Sequence, residues 1–322
     1  MANEAPIPKK ILLFGATGVI GKYILNALIE AKSSFEKIGI FTSPETVKSK
    51  ADIVENLKTK GVDVVVGNVD SEEDVSKAFE DYDTIISALG RSVLLTQIPL
   101  LTLAARSPNI HTFYPSEYGT DIEYSPASAT EKPHQMKLAV RKHIHENIDT
   151  DRLKITHLVT GPYSDLYIGK MVGAEEVGSF DVREKKAVLL GTGEERVSFT
   201  TMRDVGNLLV AALNTPFPSS SSSRILKVNS FTTTPRSILT EFEKQTNGKW
   251  EVSYTSLDKL KELEAKAWEE KSPIAAVYTL RRIWTQGGTL YEGRDNGKIG
   301  DPKMETLEEQ VRKAVEIEVR GV

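Results

Sequence analysis

Short unbroken apolar runs alternate, through the first half of the chain, with longer stretches whose apolar residues return every three or four positions. "KILLF" (Lys10–Phe14) is a run of the first kind and predicts a buried strand. Residues 19–31 are of the second kind, a helix with Ile20, Ile24, Ala27 and Leu28 on one face. Runs at 37–41, 62–67 and 83–90 predict the next three strands. Between them, "SEEDVSKAF" (71–79) opens a helix, with Ser71 as its cap and acidic residues in its first turn. A helix follows at 98–107, then a fifth strand running into a loop at 111–119. A helix at Gln135–Asn147 and a sixth strand at 154–161 complete the series.

Such alternation predicts an α/β fold, a Rossmann-type doubly wound parallel sheet with right-handed crossovers. Near-continuous Ile, Val and Leu runs suit strands covered on both faces. Past Gly161 the regularity is lost. Residues 186–213 predict a strand pair and then a helix, and "TPFPSSSSSR" (215–224) a surface connection. The last hundred residues hold one more strand-like run and several helices, ending in a charged helix from about Pro302. The expected organisation is a nucleotide-binding domain over 1–160, to which 186–213 return. A smaller α/β substrate lobe is expected over 161–322.

Composition narrows the chemistry. At 322 residues the chain suffices for one large domain or a domain with a companion lobe. A net charge of −4 and the lack of a Lys/Arg stripe argue against nucleic acid. With no cysteine, disulfides, thiolate nucleophiles and thiolate metal sites are excluded. The five histidines are scattered, and His143 and His145, two apart on a helix, cannot share a ligand, so no metal is expected. No stretch reaches membrane-spanning length, and "MANEAPIPKK" lacks the basic-then-apolar order of a signal peptide. A cytoplasmic protein is the expectation.

"GATGVIGK" sits between the first strand and the first helix, the context a dinucleotide-binding turn requires. Gly15 permits the tight turn, Gly18 admits a pyrophosphate to the backbone amides, and Gly21 lets helix and strand pack closely. The positive end of the helix dipole then faces the phosphates. An NAD site usually ends its second strand on a carboxylate that holds the ribose 2′-hydroxyl. Here Thr42 and Ser43 stand at that point, with Lys48 and Lys50 just beyond. Hydroxyl and ammonium groups suit a 2′-phosphate, which favours NADPH.

Four segments occur in the order seen in one family: "GATGVIGK", "FYPSEYGTD" (113–121), the lysine of "HQMKLAVRKHI" (134–144) and "LLGTGEERVSFTTMRDVG" (189–206). In these the chain resembles the NmrA-like atypical short-chain dehydrogenases. It resembles most the isoflavone reductase-like branch, which includes the phenylcoumaran benzylic ether and pinoresinol-lariciresinol reductases and similar fungal proteins. The resemblance implies an NADPH-dependent reductase of a small, aromatic or conjugated metabolite. It implies a cofactor site at Gly15, Thr17, Gly18, Val19, Ile20 and Gly21, continued by Ala88, Leu89 and Gly90 of "SALG" and by Pro115, Ser116 and Glu117 of "YPSE". Lys137, the last residue of that implied cofactor site, matches the branch's catalytic lysine and would exchange a proton with substrate beside the nicotinamide. The branch usually has an arginine where this chain has Thr42, which leaves Lys48 or Lys50 to meet the 2′-phosphate. Partners implied are a small aromatic substrate and, as an option, a second copy of the chain. Two other readings stay open: an NADP(H)-sensing regulator without turnover, and an enzyme of this fold performing a non-reductive step.

The residues themselves constrain the mechanism. No Tyr-x-x-x-Lys occurs, since Pro133 stands four before Lys137, so carbonyl reduction driven by a tyrosine is disfavoured. Lys137 would act without that partner. A free lysine titrates near about 10.4, and burial or a neighbouring cation must lower it into a useful range. His134, one turn earlier, is a candidate for substrate contact or proton relay. Tyr163 and Tyr167 follow the sixth strand, where the crevice opens, and are candidates for substrate contact. Glu117 suits a loop anchor better than an acid. Asp121 and Glu123 form a carboxylate pair without a glycosidase context.

Overall fold

The computed structural model describes residues 7–218, 222–291 and 293–320. The first six residues of the amino-terminal segment and 219–221 of the serine run therefore lie outside the described residues. Six strands come from the first half: β1 (Lys10–Phe14), β2 (Lys37–Thr42), β3 (Asp63–Val66), β4 (Thr84–Ser87), β5 (Thr112–Tyr114) and β6 (Lys154–Val159). They pair in parallel in the order 3-2-1-4-5-6, the arrangement of a doubly wound Rossmann-type sheet. In-register pairs such as Leu13 with Ile40 and with Ile86 fix β1 at the centre.

The long apolar runs are buried on both faces, as parallel strands require. On one face, Leu13 and Ile40 meet Ile24 and Leu28 of helix Gly21–Glu30 and Val205 and Leu209 of helix Met202–Leu213. On the other, Phe14 stacks on Phe41 at 4.8 Å between ring centroids, backed by Phe79, Leu101 and Ile144. Burying each such side chain contributes roughly 1.5–3 kcal/mol. Ser71 caps helix Glu72–Phe79 as its sequence predicts, its hydroxyl accepting from the Asp74 amide. Helix Gln135–Asn147 has its expected bounds.

The second half departs from expectation. Its strands are β7 (Ser179–Asp181), β8 (Lys186–Leu190), β9 (Val197–Phe199), β10 (Ser223–Lys227), β11 (Phe231–Thr233) and β12 (Glu251–Thr255). β8 and β9 do not pair with each other: β8 lies between β7 and β12, whereas β9 pairs with β11. Beyond residue 222 the described residues hold three strands rather than one. Ser223 and Arg224, expected in a surface connection, open β10, which joins the central sheet beside β6. The last helix, Leu307–Arg320, starts later than Pro302. No helix among the described residues is long and apolar enough to cross a membrane.

Candidate active site

β1 ends in a turn whose geometry only glycine tolerates. Gly15 has φ +79°, and a Cβ there would lie 2.5 Å from the Ala88 carbonyl oxygen. A Cβ on Gly21 would sit 2.0 Å from the Gly15 carbonyl, so helix Gly21–Glu30 starts hard against the strand. Gly18 donates its amide to the Gly15 carbonyl at 3.0 Å and faces outward. Gly18, Val19 and Ile20 form one wall of a cleft of about 410 Å³ at the carboxyl edge of the sheet. Ala88, Leu89, Gly90 and Ser116 line the same cleft. Ser116 is pinned there, its hydroxyl donating to the Leu89 carbonyl at 2.9 Å and its amide to Gln97 Oε1 at 2.6 Å. Thr17 is half-buried in the turn, and Pro115 and Glu117 flank Ser116 without lining the cleft. An open cradle of backbone at a helix N-terminus, with Gly18, Ala88 and Gly90 in its walls, fits a dinucleotide pyrophosphate.

Lys137 closes the far end of this cleft. It projects half-buried from the first turn of helix Gln135–Asn147, and its Nζ donates to the Glu117 carbonyl at 3.2 Å. Burial pulls the ammonium down to about 8; the Glu117 charge opposes the shift, and Arg91 and Arg141 reinforce it. The Glu117 side chain is only 3% exposed. It takes Arg141 Nε at 2.8 Å and His157 Nδ1 at 2.9 Å. Burial pushes its carboxyl up, but His157 and Arg141 outweigh this and hold it well below the usual range. Arg141 also reaches Glu123. Asp121 is taken by Lys227 at 2.7 Å.

A second cavity, of about 450 Å³, opens on the other side of the same lysine. Arg91, Tyr118, Pro133, Lys137 and Tyr163 belong to the walls of both spaces, so the two are contiguous. Its outer wall comes from helix Ala275–Thr285, where Val277, Leu280, Arg281 and Trp284 recur at helical spacing on one face. His134 sits at the N-cap of helix Gln135–Asn147 and lines this cavity while only 2% exposed. Its Nδ1 lies 2.8 Å from the Ser128 hydroxyl, which itself donates to the Ile122 carbonyl. Ser128 has one hydrogen to give, so Nδ1 carries the imidazole proton and Nε2 is left as a bare acceptor with no partner. Burial, then the charge on Lys137, lowers the ring to about 4.

The two candidate tyrosines part company. Tyr163 lines both spaces, its hydroxyl donating to the Tyr118 carbonyl at 2.6 Å. Tyr167, 3% exposed, lines neither: its ring packs edge-on to Phe199 beneath the Arg281 guanidinium. The helix between them is only Ser164–Tyr167, and Tyr163 precedes it in extended backbone, so four-residue spacing does not place the rings on one face. At the end of the second strand, Thr42 is 9% exposed, and Ser43 caps helix Pro44–Ser49 by accepting from the Thr46 amide at 3.1 Å. Lys48 is exposed on that helix and Lys50 half-buried just after it. Among the described residues, no cluster of His, Cys, Asp or Glu suits a metal. Sequence reading missed Arg91, Arg281 and Trp284. The spacing of 277, 280, 281 and 284 marks a helix face, but nothing local shows that this face meets a cavity.

Sheet order and glycine turn together define a Rossmann-type α/β protein. The chain belongs to the NmrA-like family, whose model matches residues 8–282. It is 26% identical to isoflavone reductase of Pisum sativum over 306 residues, 91% of each chain. It is 30% identical to phenylcoumaran benzylic ether reductase TP7 of Nicotiana tabacum over 210 residues, 64% of this chain and 65% of that one. Its fold matches the leucoanthocyanidin reductase of Vitis vinifera, solved as a binary complex with NADPH. That match has TM-score 0.76 and 20% identity over 95% of this chain and 99% of that one.

Proposed function

We propose that the protein is an NADPH-dependent oxidoreductase that reduces a small aromatic or conjugated metabolite, with Lys137 exchanging the proton. The observation that carries this reading is the place of Lys137, in the wall shared by the glycine-turn cleft and the second cavity. The reductases among its relatives support it. Gly15, Gly18 and the walls at Ala88–Gly90 and Ser116 would hold the dinucleotide, which supplies a hydride when bound. Lys48 and Lys50 beyond Thr42 would meet the 2′-phosphate. With its pKa near 8, the ammonium can give up a proton at neutral pH far more readily than a free lysine. The apolar wall of Val277, Leu280 and Trp284 suits an aromatic ring, and we assign substrate recognition chiefly to this later part of the chain. The bare His134 Nε2 would accept a hydrogen bond from a substrate hydroxyl.

The test is to follow NADPH oxidation while phenolic ethers, enones and ketones are offered, using cofactor deuterated at the transferred position. Label in the product, lost in Lys137→Ala, is the expected result. Binding of NADPH with no label transferred to any substrate would leave a binding protein or a non-reductive enzyme instead.

A further inference from the structure

Arg281 and Arg282 are neighbours on helix Ala275–Thr285 with opposite situations. Arg282 is ion-paired with Glu264 and with Glu131. Arg281 is 2% exposed and makes no ion pair among the described residues. Its Nη2 donates to the Leu166 carbonyl at 3.2 Å, and the guanidinium carbon sits over Tyr167, 3.8 Å from the ring centroid. Among the described residues Nε and Nη1 have no acceptor at hydrogen-bonding geometry, the Tyr167 hydroxyl being the one neighbour that favours the charged guanidinium. The residue lines the second cavity on the helix face that carries Val277, Leu280 and Trp284.

A guanidinium cannot shed its charge at working pH, so burying it without a counter-charge is costly. The cation–π contact with the tyrosine recovers part of that cost, but leaves Nε and Nη1 without an acceptor. A buried donor without an acceptor calls for a cause, and a ligand in the cavity that Arg281 lines is one that answers it. A planar fork of donors in a cavity with apolar walls matches a carboxylate better than a neutral acceptor, since charge and geometry are then both answered. We infer that the substrate carries a carboxylate held by Arg281, while its reacting part lies against Lys137 on the facing helix. The inference rests on the reductase reading above and narrows its substrate to aromatic or conjugated acids.

The test is calorimetric titration of the full chain, with and without saturating NADP⁺. The probes are 4-hydroxycinnamate and 3-phenylpropionate, each against its methyl ester. At least tenfold tighter binding of an acid than of its ester is expected, with the gap closed in Arg281→Met and ester affinity unchanged within about twofold. No acid binding more tightly than its ester, or a gap that survives in Arg281→Met, would overturn the inference. The readout does not depend on turnover. A chain that prefers acids yet never oxidises NADPH would sink the reductase reading alone.

Discussion

The ammonium of Lys137 donates to the backbone carbonyl of Glu117, 3.2 Å away, and the side chain of that same glutamate is locked by Arg141 and His157. The loop that steers the lysine is thereby tied to the body of the sheet domain through β6, which carries His157. The lysine reaches across from its helix to a fixed acceptor rather than ranging through solvent. Replacing it by methionine, which keeps the bulk, is expected to lower kcat by a factor of about 10² to 10⁴. NADPH affinity should change by no more than a few-fold. Steady-state rates and calorimetry check the two halves separately; an undiminished kcat would remove Lys137 from the chemistry.

The lowered pKa gives the same residue a pH signature. If the ammonium is the proton donor in reduction, kcat falls as pH rises through about 8, and the oxidative direction shows the opposite limb. The Lys137→Met variant should lose both limbs. Stability has its own sign. Between about 8 and 10.5 the unfolded chain holds a proton on this lysine that the folded chain has released. This group therefore adds stability as pH rises through that window, and denaturant titrations at pH 8 and 10 should show the increment vanish in the variant.

Breaking the anchor behind the lysine should be costly. Arg141→Met leaves the buried Glu117 carboxylate with His157 as its one side-chain partner among the described residues, and removing one member of a buried pair costs about 3–5 kcal/mol. Denaturant unfolding measures this directly. The Glu117 carbonyl then loses its fixed position, so kcat should fall as well. A loss of under about 1 kcal/mol would mean the loop is held by other contacts.

What the sequence made legible was local. The apolar run of Lys10–Phe14 and the periodicity of Gln135–Asn147 are complete within a few residues, and both elements appear with their predicted ends. The glycine turn was readable because its steric demands fall on residues three apart. Pairing between distant strands has no such local trace. β10 is a short edge strand with Ile225 exposed, so it lacks the unbroken apolar run of a central strand, and its partner β6 lies some seventy residues earlier. The outer cavity wall was hidden for a related reason. Two consecutive arginines on an amphipathic helix read as solvent-facing, and only the tertiary fold sends Arg281 inward over Tyr167 while Arg282 pairs across to Glu264.

His134 carries a prediction of its own. Its Nε2 can only accept, so substrates with a hydroxyl should lose about tenfold in KM with His134→Phe, whereas the corresponding methyl ethers should not. The ring titrates near 4 in the folded chain against 6.5 in its reference state. As pH falls from 6.5 towards 4 the unfolded chain takes up a proton first, and stability is lost across that window. The phenylalanine variant should be flatter over the same range. Equal effects on hydroxyl and ether substrates would show that the imidazole merely fills space.

The choice between NADPH and NADH should turn on the end of β2. Thr42 is the last residue of that strand, and the Ser43 hydroxyl is already committed to the Thr46 amide. On the proposed reading, recognition of a 2′-phosphate would fall to Lys48 or Lys50, which would act as charges at a distance rather than as a bidentate clamp. Lys48→Ala should weaken NADPH binding only a few-fold, and less so as salt is raised, because an exposed ammonium is screened. Thr42→Asp should do more: a carboxylate there repels the phosphate and can accept from a free ribose 2′-hydroxyl. NADPH affinity is expected to drop tenfold or more while NADH affinity rises, with both read by calorimetry. An unmoved NADPH-to-NADH ratio in Thr42→Asp would mean that the ribose is read elsewhere than at the end of β2.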